Sequence, residues 1–121
     1  MHIEGYICID KDNIKIKLCK IEYIEYDENN FKYIFTPYYK NIDLLDENQF
    51  CGIQGINLEQ RRDQYIRENF VPTFISERSP IKSRTNLSEL MGKEGLKTYY
   101  PLQWLKKTKM RYFGDNLYVS D

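Results

Sequence analysis

HIEGYICIDKDNIKIKLCKIEYIEYDENNFKYIFTP, running from His2 to Pro37, decides the fold class. Ile3, Gly5, Ile7 and Ile9 share one parity between His2 and Asp10, which is the period of a strand. Asp10-Lys11-Asp12-Asn13 is a turn by composition. A second strand starts at Ile14, with Ile16 and Leu18 alternating with Lys15, Lys17 and Cys19. The phase then slips, because Ile21 and Tyr23 fall on the other parity. The slip predicts a bulge or bend near Cys19–Lys20. Asp27 to Asn30 is the next turn, and Phe31 to Thr36 a third strand ended or placed at an edge by Pro37. Three strands joined by short turns make an antiparallel meander.

The pattern changes beyond Tyr39. Asn41 to Phe50 reads as a short helix or a loop. Asn57 with Gln60 forms a capping-box pair, and Leu58, Arg61 or Arg62, Tyr65 and Ile66 repeat at helical spacing, so a helix is expected to end near Asn69. The apolar run Phe70 to Ser76 suggests a short strand. Thr85 or Asn86 caps the next helix, with Glu89 completing the box and Leu87, Leu90 and Met91 as its apolar stripe. Gly92 and Gly95 are candidates for its left-handed end. Pro101 to Lys107 fits a further short helix, with proline in its first turn. Gly114-Asp115-Asn116 is a turn and Leu117 to Val119 a terminal strand. The expected fold is α+β: a three-stranded antiparallel meander, then two or three short helices and a short terminal strand. One domain is expected over 1–121, sheet-rich in 1–39 and helical in 57–110.

A chain of 121 residues is one domain by the length prior and buries roughly two-thirds of its unfolded surface. Its 41% hydrophobic and 30% charged residues fit a soluble globular class. No apolar run is long enough to cross a membrane, and MHIEGYICID lacks the features of a signal peptide, so a cytoplasmic location is expected. Alanine is absent while Ile, Lys, Asn and Tyr abound, which suggests AT-rich codons and a low-GC bacterium, phage or mobile element.

The residues argue against catalysis by elimination. His2 is the one histidine and lies at the start of the chain, which removes most nucleophile–histidine pairs and most zinc sites. Cys8, Cys19 and Cys51 are widely spaced with no CxxC pair, and buried reduced thiols are the plain reading. No Glu-x-Lys or Asp-x-Lys pair of a metal nuclease occurs, and no phosphate loop. No catalytic residue, metal or cofactor is therefore expected. Gly52-Ile53-Gln54-Gly55 has the spacing of a KH-type backbone clamp, but its middle pair lacks positive charge and a tight entry turn explains the glycines.

The net charge of zero conceals an asymmetry. Residues 1–59 carry six lysines against eleven acids, and residues 60–121 carry six lysines and six arginines against seven acids. Arg78, Lys82, Ser83 and Arg84 surround a proline-restrained loop before a helix start, where an anion or partner can be met. Arg61 and Arg62 add to the basic half. Glu22, Glu25, Asp27 and Glu28 are a candidate acidic surface. Against these stands internal pairing of Arg78 or Arg84 with an acid of the N-terminal half. The eleven tyrosines serve the sheet and core, or with arginine supply a stacking platform or partner contacts.

Arg78, Pro80, Ser83 and Arg84, then Leu87, Leu90 and Met91, and finally Gly114-Asp115-Asn116-Leu117-Tyr118-Val119 carry a resemblance. Over about 45 residues they are similar to small modules of low-GC bacteria, some encoded before HipA-type kinases, with a longer proline-to-serine gap and an altered closing segment. The resemblance implies a non-catalytic module of mobile-element or toxin–antitoxin context, and carries over no catalytic residue.

The leading expectation is a non-enzymatic binding protein of a phage or mobile element. It would inhibit or regulate a host nucleic-acid-directed defence machine by protein–protein contact, in the manner of an anti-CRISPR. The alternatives are a HipA-kinase-associated accessory or antitoxin-like module and a single-stranded nucleic-acid-binding domain. A protein partner is expected, nucleic acid is an alternative partner, no membrane is involved, and the oligomeric state is open.

Overall fold

The computed structural model describes residues 1–80, 86–96, 98–109 and 115–121. The expectations placed on Lys82, Ser83, Arg84, Thr85 and Gly114 lie outside the described residues. Strands β1 (His2–Lys11), β2 (Ile14–Asp27) and β3 (Asn30–Pro37) form the meander expected. Asp12 and Asn13 both take positive φ, 52° and 65°, which is the two-residue turn whose twist suits a tight hairpin. β4 (Tyr65–Glu68) and β5 (Tyr118–Ser120) complete a five-stranded sheet in the order β4-β3-β2-β1-β5, antiparallel throughout. With its helices this is an α+β fold.

The predicted phase slip is real and lies one residue earlier. Ile7 pairs with Cys19 while Cys8 pairs with Lys17, so Leu18 is the extra residue of a bulge. Leu18 and Cys19 are consequently both buried, which strict alternation forbids. A second irregularity skips Tyr26 between Glu25 and Asp27 and leaves that ring exposed.

The inner sheet face is built from cross-strand rows. Gly5, Ile21, Phe35 and Tyr65 make one row, and Ile3, Tyr23 and Tyr33 the next. Helix α4 (Pro101–Thr108) covers β1 and β5 with Leu102, Trp104 and Leu105 buried. Gly5 permits that approach: a Cβ there would stand 3.0 Å from the Ser120 carbonyl oxygen and 3.2 Å from Lys106 Cδ. Helix α1 (Tyr39–Ile42) packs on β2 and α2 (Thr73–Ser76) on α4, while α3 (Leu87–Lys93) buries Leu87 and Met91 and leaves Leu90 half-buried. Gly95, at φ 71°, ends α3 with paired bonds from Leu96 N to Met91 O and from Gly95 N to Gly92 O.

Three local expectations are corrected. The helix read over 57–69 is a single 3-10 turn, Leu58–Gln60, followed by Arg61 at φ 52° and then β4. Asn57 does cap that turn, but it accepts from Glu59 N rather than entering a box with Gln60. The left-handed Arg61 stops helix propagation, and β3 offers Tyr65–Glu68 a partner edge. The strand read over Phe70 to Ser76 is helix α2, because Pro72 starts a turn there that ends the extended run. Of the two caps expected for α3, Asn86 stands at its start with no side-chain cap bond, and Thr85 lies outside the described residues.

Candidate functional site

At the N-terminal end of α4, the inner sheet face and the helical half leave a cleft between them. The pairing Tyr23↔Tyr33 sets two rings side by side, and Glu25↔Phe31 adds a carboxylate and a third ring one step further along. Residues 76–80 and 98–101 form the opposite wall. The result is a cleft of about 510 Å³ lined chiefly by Tyr23, Phe31, Tyr33, Tyr99 and Tyr100, with Glu25 and Glu28 on its border. Tyr23 is the hub: its ring centroid lies 5.0 Å from Tyr33, 5.7 Å from Phe31 and 6.0 Å from Tyr100. Phe31 meets Tyr33 edge-on at 6.2 Å and 85°. Such tilted and edge contacts suit the ring quadrupoles and hold the wall as a unit. The Tyr99 hydroxyl donates to the Pro80 carbonyl, tying the two segments of the opposite wall.

Burial raises the titration of Tyr23, Tyr33 and Tyr99. Tyr23 is pushed up to about 12, first by desolvation and then by the neighbouring Glu25 charge. Tyr33 is raised further, again mainly by burial, and Tyr99 is raised by burial against a hydrogen bond with Ser79. Tyr23, Tyr33 and Tyr99 are thus neutral phenols at neutral pH.

The residues expected to form an acidic surface are not one surface. Glu25 and Glu28 border the cleft. Glu22 lies on the opposite sheet face, where His2 Nε2 is 2.9 Å from its Oε2 and Lys20 Nζ 3.9 Å from its Oε1. Asp27 is engaged in its turn, accepting from Asn29 N at 2.9 Å and from Asn30 Nδ2 at 2.8 and 3.0 Å. Those bonds hold its carboxyl below the ordinary range.

The described arginines of the expected basic site are likewise apart. Arg78 has a side chain only 1% exposed, with Nη2 2.5 Å from Asp115 Oδ2 and 3.2 Å from Glu77 Oε1. Its guanidinium lies 3.6 Å from the Phe74 ring centroid. Arg78 is therefore a buried internal clamp and not an exposed contact, and its acid comes from the C-terminal half rather than the N-terminal half expected. Arg61 does pair across the halves, bonding both oxygens of Asp43 at 2.8 and 2.9 Å and lying 4.3 Å from the Tyr39 ring centroid. Arg62 is exposed, and its carbonyl accepts from the Tyr39 hydroxyl at 2.5 Å. Gly52 and Gly55 both take positive φ, 121° and 99°, and lead into the 3-10 turn rather than the helix a KH-type clamp requires.

One group of potential metal ligands occurs among the described residues: His2, Glu4 and Glu22, with ligand atoms within 4.8 Å of one another. Lys20 Nζ already lies 3.3 Å from Glu4 Oε2, so an ammonium of the chain itself neutralises that group.

The cleft rings escaped the sequence reading, which assigned most tyrosines to sheet and core. The available signal was the pair Tyr23-x-Glu25 and Phe31-x-Tyr33, which a short hairpin must set opposite each other on one face. Among the described residues no helix is long and apolar enough to cross a membrane. No family model, curated protein or solved structure matches this chain.

Proposed function

We propose that this chain is a non-enzymatic binding protein that acts by contact with a protein partner, and that the sheet–helix cleft is where the contact is made. The observation that carries this reading is the cleft's five-ring lining. Clustered aromatic side chains bring contact area at low conformational cost. The absence of alanine and the abundance of Ile, Lys, Asn and Tyr support a phage or mobile-element setting with a host nucleic-acid-directed machine as the target. The resemblance at Arg78, Pro80 and the Leu87–Met91 stripe supports the alternative, a HipA-kinase-associated module, which also acts by contact.

A single-stranded nucleic-acid reading has one supporting feature. On the outer sheet face Tyr6 and Tyr38 stack at 6.4 Å, with Lys17 Nζ 4.0 Å from the Tyr6 ring centroid.

Affinity purification with the tagged full chain, nuclease-treated and repeated with Phe31→Ala, tests the proposal. A protein retained after nuclease and lost with the variant, at near-native melting temperature, supports it. Recovery of nucleic acid with no protein, or a partner indifferent to the variant, contradicts it. Binding to nucleic acid that falls steeply with salt would favour the outer face instead.

A further inference from the structure

Across the protein, aromatic faces and cations find each other. Lys17 lies over Tyr6, Lys32 over Tyr26, Arg61 over Tyr39 and Arg78 over Phe74. None of those rings belongs to the cleft. Tyr23, Phe31, Tyr33, Tyr99 and Tyr100 line it with two carboxylates, and no lysine or arginine is among the described residues of that lining. Ring faces carry the negative end of their quadrupole, so the wall and both acids favour the same sign of guest.

We infer that the cleft receives the lysine or arginine side chain of a basic segment of the partner, a conclusion that rests on the cleft being the contact site. Three features favour this occupant. The first is charge complementarity, since Glu25 and Glu28 are the charged residues among the described lining of a largely aromatic cleft. A basic side chain has the matching order of parts: an apolar stem to lie on Phe31 and Val71, and a cationic head to reach the carboxylates.

The second is shape. Val71, Ser76, Thr98 and Glu28 of the lining are exposed. A side chain can enter while its backbone stays outside.

The third is the apolar surface continuing past the rim. Phe70 is 53% exposed and Val71 38%, and Asn69 N donates to the Phe31 carbonyl, which anchors this segment beside the cleft. A free amine would use only the carboxylate border, whereas a peptide also covers Phe70.

The tyrosines contribute as neutral rings. A phenol of ordinary acidity is un-ionised at neutral pH, and burial raises Tyr23 and Tyr33 above that. Discrimination therefore comes from ring faces and the two carboxylates.

Hexalysine and hexaarginine are the probes, with hexaglutamine as the uncharged control, titrated into the full-length chain and followed by calorimetry. The expected result is binding of both basic peptides and none of hexaglutamine. Glu25→Gln combined with Glu28→Gln should weaken binding about tenfold or more at unchanged melting temperature. The conservative pair Glu25→Asp and Glu28→Asp should recover part of it. Basic peptides that bind no better than hexaglutamine overturn the inference, and so does a double glutamine variant that binds them as tightly as the native chain. In the affinity purification, a partner lost with Phe31→Ala but kept with the double glutamine variant overturns the cationic occupant alone. A partner kept with both overturns the contact site itself.

Discussion

Asp115→Asn isolates the clamp that joins the end of α2 to the turn before β5. The substitution keeps the shape and leaves an oxygen to accept from Leu117 N, which Asp115 Oδ1 does at 2.9 Å. It removes the charge facing Arg78, whose side chain is 1% exposed. Stripping one partner from a buried ion pair costs about 3–5 kcal/mol, because the remaining charge stays desolvated. Glu77 remains 3.2 Å from Arg78 Nη2 with its side chain 21% exposed, so the low end, about 3 kcal/mol, is expected. In a chain of this length each kcal/mol lowers the melting temperature by about 4 °C, giving a fall of about 12 °C.

The assay is thermal and urea unfolding of the native chain, Asp115→Asn, Arg78→Met and the double variant. The double variant should be less destabilised than the two single effects added together, because it leaves no buried guanidinium without its Asp115 partner. Ser79 and Pro80, which follow Arg78, line the cleft, so Asp115→Asn should also weaken hexalysine binding. A melting temperature within about 3 °C of native, with additive single effects, would refute the clamp.

Two further outcomes follow from burial. Because Tyr23 titrates at about 12 in the fold against about 10 when unfolded, its contribution to stability is complete below pH 10. It is lost as pH rises toward 12, since the unfolded chain ionises first, and Tyr23→Phe should flatten that alkaline loss in unfolding experiments across pH 9 to 12. Thiol labelling should modify Cys51 rapidly in the native protein, because it is exposed, and reach Cys8 and Cys19 only in denaturant. Burial also raises the pKa of both internal thiols, so labelling of either at the native rate of Cys51 would contradict their placement.

The meander was legible because strand period two is written directly in Ile3, Gly5, Ile7 and Ile9, and even the bulge announced itself as a change of parity. α4 was legible from Pro101 and its apolar trio. β4 was not, because Leu58, Tyr65 and Ile66 satisfy a helical period as well as anything else. The decision fell to the left-handed Arg61 and the free edge of β3, which are backbone and tertiary facts. α2 was misread because a short apolar run fits either state and Pro72 ended up starting a helix rather than closing a strand.

The candidate site was less legible than the fold. Charge residues draw attention in a sequence, yet Arg61, Arg78, Glu22 and Asp27 are paired within the chain. Glu25 and Glu28 gain meaning only beside rings contributed by residues 23–33 and 99–100, which the fold brings together across the sheet–helix boundary.

The most direct measurement is an isotope-edited NMR experiment on the full-length chain with hexalysine bound. The account predicts nuclear Overhauser contacts from the lysine methylenes to the ring protons of Tyr23, Phe31 and Tyr100, all lost in the Glu25→Gln and Glu28→Gln double variant. Contacts confined to Tyr6 and Tyr38 on the outer face, or to no aromatic ring at all, would contradict it.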